Sequence, residues 1–316
     1  MENNTELRLL RPRSLAAVIS DGYRLFMGTF RSLFRSSWPV ALVYALAFAL
    51  LMGEVVNSII PLQVALRTGG LSASAAPMPL FSSFAVLFWL LAVALLAAQA
   101  VGILREHKST GTIVRPARWY GRLCLKPFLR VLVVALWMLL LSVIVNLLFA
   151  GLAMAIVKLG VVGSVARSVA SMVLLLVVLL IVAALCLPFY YTVMRTLLAD
   201  GKVRLSPPVQ GYGLGLRHWG LLFATALVVG LFTGLLTLVC ELPAVIMAMA
   251  NTLAYVGMAQ GDPLGMPESM ATLTYCVFFV AGFIQAYVHL STLYPFYYAY
   301  GSIEQQQQER LSAPKI

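Results

Sequence analysis

Six polar side chains sit inside stretches that are otherwise apolar: Glu54, Asn57, Asn146, Glu241, Gln285 and His289. An ionisable group in hydrocarbon is costly, so each is a functional candidate by default, and together they make up the candidate intramembrane polar site. Gln285 and His289 are four residues apart and share one helix face. If the carboxylate of Glu54 or Glu241 faced that histidine, a proton-coupled carrier would have its minimum parts. Both glutamates fall near the outer end of their apolar runs, however, and no Lys or Arg joins them at the middle. Catalytic chemistry has thinner support. The chain contains no HExxH, GxSxG, Walker loop or GxGxxG after a strand. Its three histidines, His107, His218 and His289, fall in separate segments, too few for an intramembrane metal centre. The expectation is a protein that is not an enzyme, with no catalytic residue, metal or cofactor. Cys124, Cys186, Cys240 and Cys276 form neither a CxxC nor a zinc spacing and read as small packing residues.

The elements that must position these groups are membrane spans. Hydrophobic residues make up 61% of the 316, charged residues 10%, and the mean hydropathy is +0.94, which excludes an ordinary soluble domain. Apolar runs long enough for a bilayer core of about 30 Å fall at 39–60, 81–104, 128–150, 171–194, 219–240 and 271–299. They are too continuously apolar for barrel strands. The fold class is all-α: one integral membrane domain of six transmembrane helices. No cleavable leader precedes the first run, so that span is expected to stay. The net charge of +11 does not indicate nucleic acid, because the cations lie where a membrane protein puts them. Alternate inter-span segments hold nineteen Lys and Arg against three on the other side. By the positive-inside rule both termini are cytoplasmic, and the expected location is a bacterial inner membrane.

The pattern reads as three repeats of an interfacial amphipathic helix followed by a transmembrane hairpin, at about 14–105, 113–200 and 206–303, with a polar tail at 304–316. In the first lead-in, 14–38, Arg13, Arg24, Arg31 and Arg35 fall on one stripe and Leu15, Tyr23, Phe26 and Phe30 on another. The second lead-in carries Arg118, Arg122, Lys126 and Arg130, and the third Gly211-Tyr212 and Arg217-His218-Trp219. Such helices lie among headgroups, so Arg24, Arg31, Arg35, Arg118, Arg122, Lys126, Arg130 and Arg217 are candidate contacts to anionic lipid. Spans four and six end alike, in Leu187-Pro188-Phe189-Tyr190-Tyr191 and Tyr294-Pro295-Phe296-Tyr297-Tyr298. The expectation is that Pro188 and Pro295 kink their helices and splay them apart, with Tyr190, Tyr191, Tyr297 and Tyr298 rimming the gap. Ala98-x-x-x-Gly102 and Gly230-x-x-x-Gly234 are small-xxx-small faces, expected to pack within the bundle. The external loops, 62–80 and 251–268, are small and weakly charged.

Taken with the Pro-aromatic exits, Gly22-Tyr23-Arg24…Trp38 and Gly211-Tyr212…Arg217-His218-Trp219 resemble the bacterial six-span families that include the YciC-like proteins and the membrane domain of some glycerophosphodiester phosphodiesterases. The resemblance is one of pattern and carries no catalytic residue, since the phosphodiesterase activity belongs to a separate soluble domain. It implies a non-enzymatic polytopic membrane protein that binds lipid or a membrane protein partner, in envelope assembly or membrane homeostasis. A small carrier or permease subunit is the alternative. The topology has a direct check: cysteine labelling at Arg115 and Lys202 should report the cytoplasm, and at Gly69 and Gly261 the outside. An external Arg115 would overturn it.

Overall fold

The computed structural model describes residues 9–56, 79–111, 120–158, 165–201, 203, 205–261, 267 and 269–312, with the side chains of 79–83, 120–126, 153–158, 165–171, 175 and 259 outside the description. Every regular element among them is helical: α1 (Leu15–Glu54), α2 (Pro79–Thr110), α3 (Tyr120–Lys158), α4 (Val165–Cys186), α5 (Pro188–Leu198), α6 (Tyr212–Arg217), α7 (Trp219–Ala259) and α8 (Ser269–Ser312). Six helical stretches are long and apolar enough to cross a membrane: α1, α2, α3, α4 running on into α5, α7 and α8.

The first lead-in is not a separate helix. Residues 15–54 form one helix of 40 residues, about 60 Å long and about twice the bilayer core. Ser14 caps its start by accepting from the Ala17 N–H. Helix persists through Pro39 because Val18, Gly22, Leu25, Thr29, Leu33, Ser37, Ala41, Tyr44 and Phe48 lie on one continuous buried stripe, while Pro39 faces outward. Two more boundaries move. The fifth span, expected to stop at Cys240, runs on through Pro243 to Ala259, which leaves Glu241 near the middle of a helix and makes 251–259 helical instead of loop. Asn251 fits there because its amide donates to the Met247 carbonyl and to Thr274 Oγ1 of α8. The expected polar tail continues α8 as helix to Ser312.

The core sits between α1 and α8, which run antiparallel along their whole length. Arg13 meets Ser302, Thr29 meets Tyr294, Ser37 meets Tyr287 and Tyr44 meets Gln285. Helix α2 packs on α1, α7 on α8 and α3 on α2. Helix α4 touches little of the chain. Met172 is 75% exposed, and Val173, Leu174, Leu176, Leu179 and Leu180 are exposed with it.

Glycine is used for approach, but not where the small-xxx-small pattern predicts in α7. Among the described residues nothing lies within 4 Å of the Cβ position of Gly230 or Gly234, so that face is open. Ala98 does pack, buried with Val131 and Val134 of α3. Two glycines admit the prolines of the Pro-aromatic exits: Gly22, where a Cβ would lie 2.7 Å from Pro295 N and Cα, and Gly215, where it would lie 3.1 Å from Pro188. Backbone and a proline ring cannot swing away. Gly22→Ala should therefore cost about 1–3 kcal/mol, lowering the thermal midpoint in detergent, whereas Gly230→Ala should leave it unchanged or raise it slightly. Equal midpoints for the two variants would remove the close contact as a determinant.

Candidate functional site

The polar candidates converge only in part. Gln285 is the centre: its Oε1 accepts from the Tyr44 hydroxyl at 3.1 Å, and its side chain hydrogen-bonds Glu241. The indole of Trp89 lies beside Tyr44. Helices α1, α2, α7 and α8 thus each contribute one side chain. Two atoms of this group are buried without a partner, Glu241 Oε1 and Trp89 Nε1, an acceptor and a donor. The expected histidine is missing from it: His289, one turn along α8 from Gln285, is exposed. Asn146 is also exposed and turns back to its own helix, donating to the Ser142 carbonyl at 2.8 Å. Glu54 lies at the far end of α1, beside the Gly53–Tyr275 contact. Asn57 lies outside the described residues.

The cations divide into two kinds. Arg24, Arg31, Arg35 and Arg217 are exposed, as headgroup contacts must be. Arg13, expected on the same stripe, precedes the helix and is 8% exposed. Its Nε pairs with Asp21 at 2.8 Å, and its guanidinium lies over the Tyr298 ring at 4.5 Å. Arg130 is buried too, donating to the Ala199 and Gly201 carbonyls. Arg105 and Lys108 reach the same place, the first to the Ala199 carbonyl at 3.2 Å and the second to that of Leu198 at 2.9 Å. Three cations converge on the carbonyl end of α5, where the helix dipole and the unpaired carbonyls favour positive charge. Arg118 lies outside the described residues, as do the side chains of Arg122 and Lys126.

The two Pro-aromatic exits do not splay apart; they pack together. Pro188 breaks the helix between α4 and α5, whereas Pro295 stays inside the uninterrupted α8. Tyr190 stacks on Phe296 at 4.2 Å and 2°. Tyr191, Tyr297 and Tyr298 rim no opening, being almost fully buried. Each hydroxyl or ring meets a polar group: Tyr191 donates to Glu304 at 2.7 Å, Tyr297 lies 2.9 Å from His107 Nδ1, and Tyr298 carries Arg13. A buried phenol is stable when its oxygen is partnered, and these partners were the part that the sequence pattern could not supply. The one available signal was the rarity of Asp21, His107 and Glu304 in a chain this poor in polar groups.

Pro188 cannot donate to the carbonyl one turn back, Ala184, and the break also releases that of Leu185. Both are capped from outside the helix. Trp219 Nε1 donates to the Ala184 carbonyl at 3.0 Å, and the Tyr212 hydroxyl to that of Leu185 at 2.7 Å. Burial and the nearby Cys186 raise the Tyr212 phenol above its ordinary value, which keeps this hydroxyl a donor at neutral pH. Next to it, burial together with Arg310 and Arg217 lowers the His218 imidazole, so that it is neutral at pH 7.

Above the capped carbonyls an apolar groove of about 560 Å³ separates α4 from α7. Leu180, Ile181 and Ala183 form one wall and Phe223, Ala226 and Leu227 the other, with Trp219 at the end. A second pocket, of about 590 Å³, lies beside the carbonyl end of α5 and is lined by Arg130, Arg195, Thr196 and Ser206 among others. Among the described residues no group of three or more His, Cys, Asp or Glu is placed to hold a metal. Comparison of the chain with protein-family models, curated proteins and solved structures finds no match.

The capping makes its own test. Trp219→Phe removes the donor to Ala184 and should cost about 1–2 kcal/mol. In a Pro188→Ala background the restored N–H can serve that carbonyl, so the same change should cost less than half as much in a double-mutant cycle on detergent-solubilised protein. Additive costs would show that the indole acts by packing alone.

Proposed function

We propose that this chain is a non-enzymatic, multi-pass inner-membrane protein that binds lipid, with the groove between α4 and α7 receiving an acyl chain. One observation carries the reading: the groove walls are apolar and the one polar side chain among the lining residues, Trp219, already donates its Nε1–H to the Ala184 carbonyl. Nothing polar is left over for a hydrophilic substrate there. The occupant that suits such a surface on a helix this exposed is a hydrocarbon tail. The arginine stripe on α1 supports the same reading, with Arg24, Arg31 and Arg35 turned outward toward anionic headgroups. On this view the nineteen-to-three cation count sets both termini in the cytoplasm, the three-repeat pattern sets the plan of the chain, and the resemblance to six-span YciC-like proteins points to envelope or membrane homeostasis.

The alternative, a small carrier, draws on the Glu241–Gln285–Tyr44 group with its unpartnered carboxylate oxygen. The two readings separate on one experiment. Ala183→Trp should fill the groove, and native mass spectrometry of the full chain from gently solubilised membranes should then show most of the retained phospholipid lost. Leu147→Trp, on an exposed face of α3, should leave it in place. Unchanged lipid retention in Ala183→Trp would sink the groove as the binding site. Glu241→Gln should not change retention under the lipid reading.

A further inference from the structure

We infer that the second pocket, beside the carbonyl end of α5, is a phosphate-binding site, and that its ligand is the headgroup of an anionic phospholipid; this deepens the lipid reading and rests on it. The pocket has a volume of about 590 Å³, and two guanidinium groups, Arg130 and Arg195, line it together with Thr196, Ser206 and Gln210. Arg130 is fixed before any ligand arrives, because it spans the Ala199 and Gly201 carbonyls. A guanidinium has five N–H donors in a rigid fork, so these two bonds leave donors for a phosphate oxygen. Arg195 is exposed on the other side, with its guanidinium beside Gly211. Gly211 has φ 88°, and a Cβ there would lie 2.6 Å from the Arg195 guanidinium. Glycine therefore leaves room for the second arm of the clamp.

The local charge favours an anion. Asp200 lines the pocket, but Arg105 at 3.6 Å and Lys108 at 3.5 Å draw its carboxylate. Glu304 lies nearby and accepts from Tyr191. Among the described residues the lining thus holds two guanidinium groups, Arg130 and Arg195, and one carboxylate, Asp200, which Arg105 and Lys108 already draw. Thr196 and Ser206 add hydroxyl donors of the kind that complete a phosphate shell. A lipid, rather than a soluble phosphate, is favoured by what adjoins the site: Val133 is part of the lining, and Leu129, Leu136 and Leu140 of the same helix are exposed beyond it. A headgroup held in the pocket would lay its tails along α3. Basic pockets between spans at the cytoplasmic boundary take anionic lipid headgroups by this combination of charge and apolar flank.

The test uses the full chain in a neutral detergent, titrated with phosphatidylglycerol and with phosphatidylcholine of the same acyl chains and followed by native mass spectrometry. Wild type should favour phosphatidylglycerol by at least about tenfold, the worth of one charge-assisted hydrogen bond. Arg195→Gln should abolish that preference, Arg195→Lys should restore part of it, and Arg310→Gln, at an exposed position of α8, should leave it intact. Because Arg130 also holds the 199–201 segment, Thr196→Val is the second probe; it should lower the preference while the thermal midpoint stays at the wild-type value. Retention of the full preference in Arg195→Gln and Thr196→Val would overturn the site. Competition with glycerophosphate and inorganic phosphate identifies the source. No displacement at millimolar concentration supports the lipid headgroup, whereas displacement as effective as that by phosphatidylglycerol would overturn the lipid assignment in favour of a soluble phosphate. Unchanged lipid retention in Ala183→Trp with the preference lost in Arg195→Gln would be failure of the groove alone, whereas lipid lost in Ala183→Trp with the preference retained in Arg195→Gln and Thr196→Val would be failure of this pocket alone.

Discussion

Lipid tails solvate an apolar side chain as well as a neighbouring helix does, so helices in a bilayer must be held by close packing and by hydrogen bonds. The α1–α8 contact meets that requirement from end to end. Gly22 admits Pro295, and Gly282 and Gly53 admit Phe48 and Tyr275. Buried serines and threonines on α1 meet tyrosines of α8, as at Thr29 with Tyr294 and Ser37 with Tyr287. Helices α2 and α7 lie against this pair and α3 lies beyond α2. The Gly230 face, open among the described residues, shows that small residues alone do not bring helices together.

A second constraint, that buried polar groups be partnered, orders the region where the two Pro-aromatic exits meet. The few polar residues of the chain concentrate there: Arg13 with Asp21 and Tyr298, His107 with Tyr297, and Glu304 with Tyr191. Five helical or cap segments are tied through three tyrosines. Prolines that would otherwise loosen the helices become points of attachment, since each faces a glycine, and the carbonyl that Pro188 leaves open is taken by Trp219.

Sequence pattern went far for the spans and less far for their ends. Hydropathy located six helices because the apolar runs are long and the charges between them sparse. It misplaced the end of α7, where the charge of Glu241 reads as an edge although the helix continues for more than four turns, and it split α1 at Trp38-Pro39, a feature of span starts that here lies within a helix. For the candidate site, Gln285 and Glu241 were legible as rare polar residues in apolar runs and do come together, while His289 was grouped with Gln285 on spacing and turns outward. Periodicity tells which residues share a face, not which neighbour the face meets. The same limit hid Tyr44 and Trp89, and it hid the capping duty of Arg105, Lys108 and Arg130, because a cation bonded to a distant carbonyl has no local signature.

The pairing of α1 with α8 joins segments as much as 289 residues apart in the chain. Before α8 is made, α1 has its glycine and serine stripe uncovered, and α2 can shield only part of it. Arg13, Asp21 and His107 likewise wait for Tyr297, Tyr298 and Ser302. The bundle therefore closes like a clasp, after the last residues of α8 emerge. A chain cut short before Tyr294 would leave the polar groups of α1 and α2 without these partners, a chemical difference between copies that carry all of α8 and copies that do not.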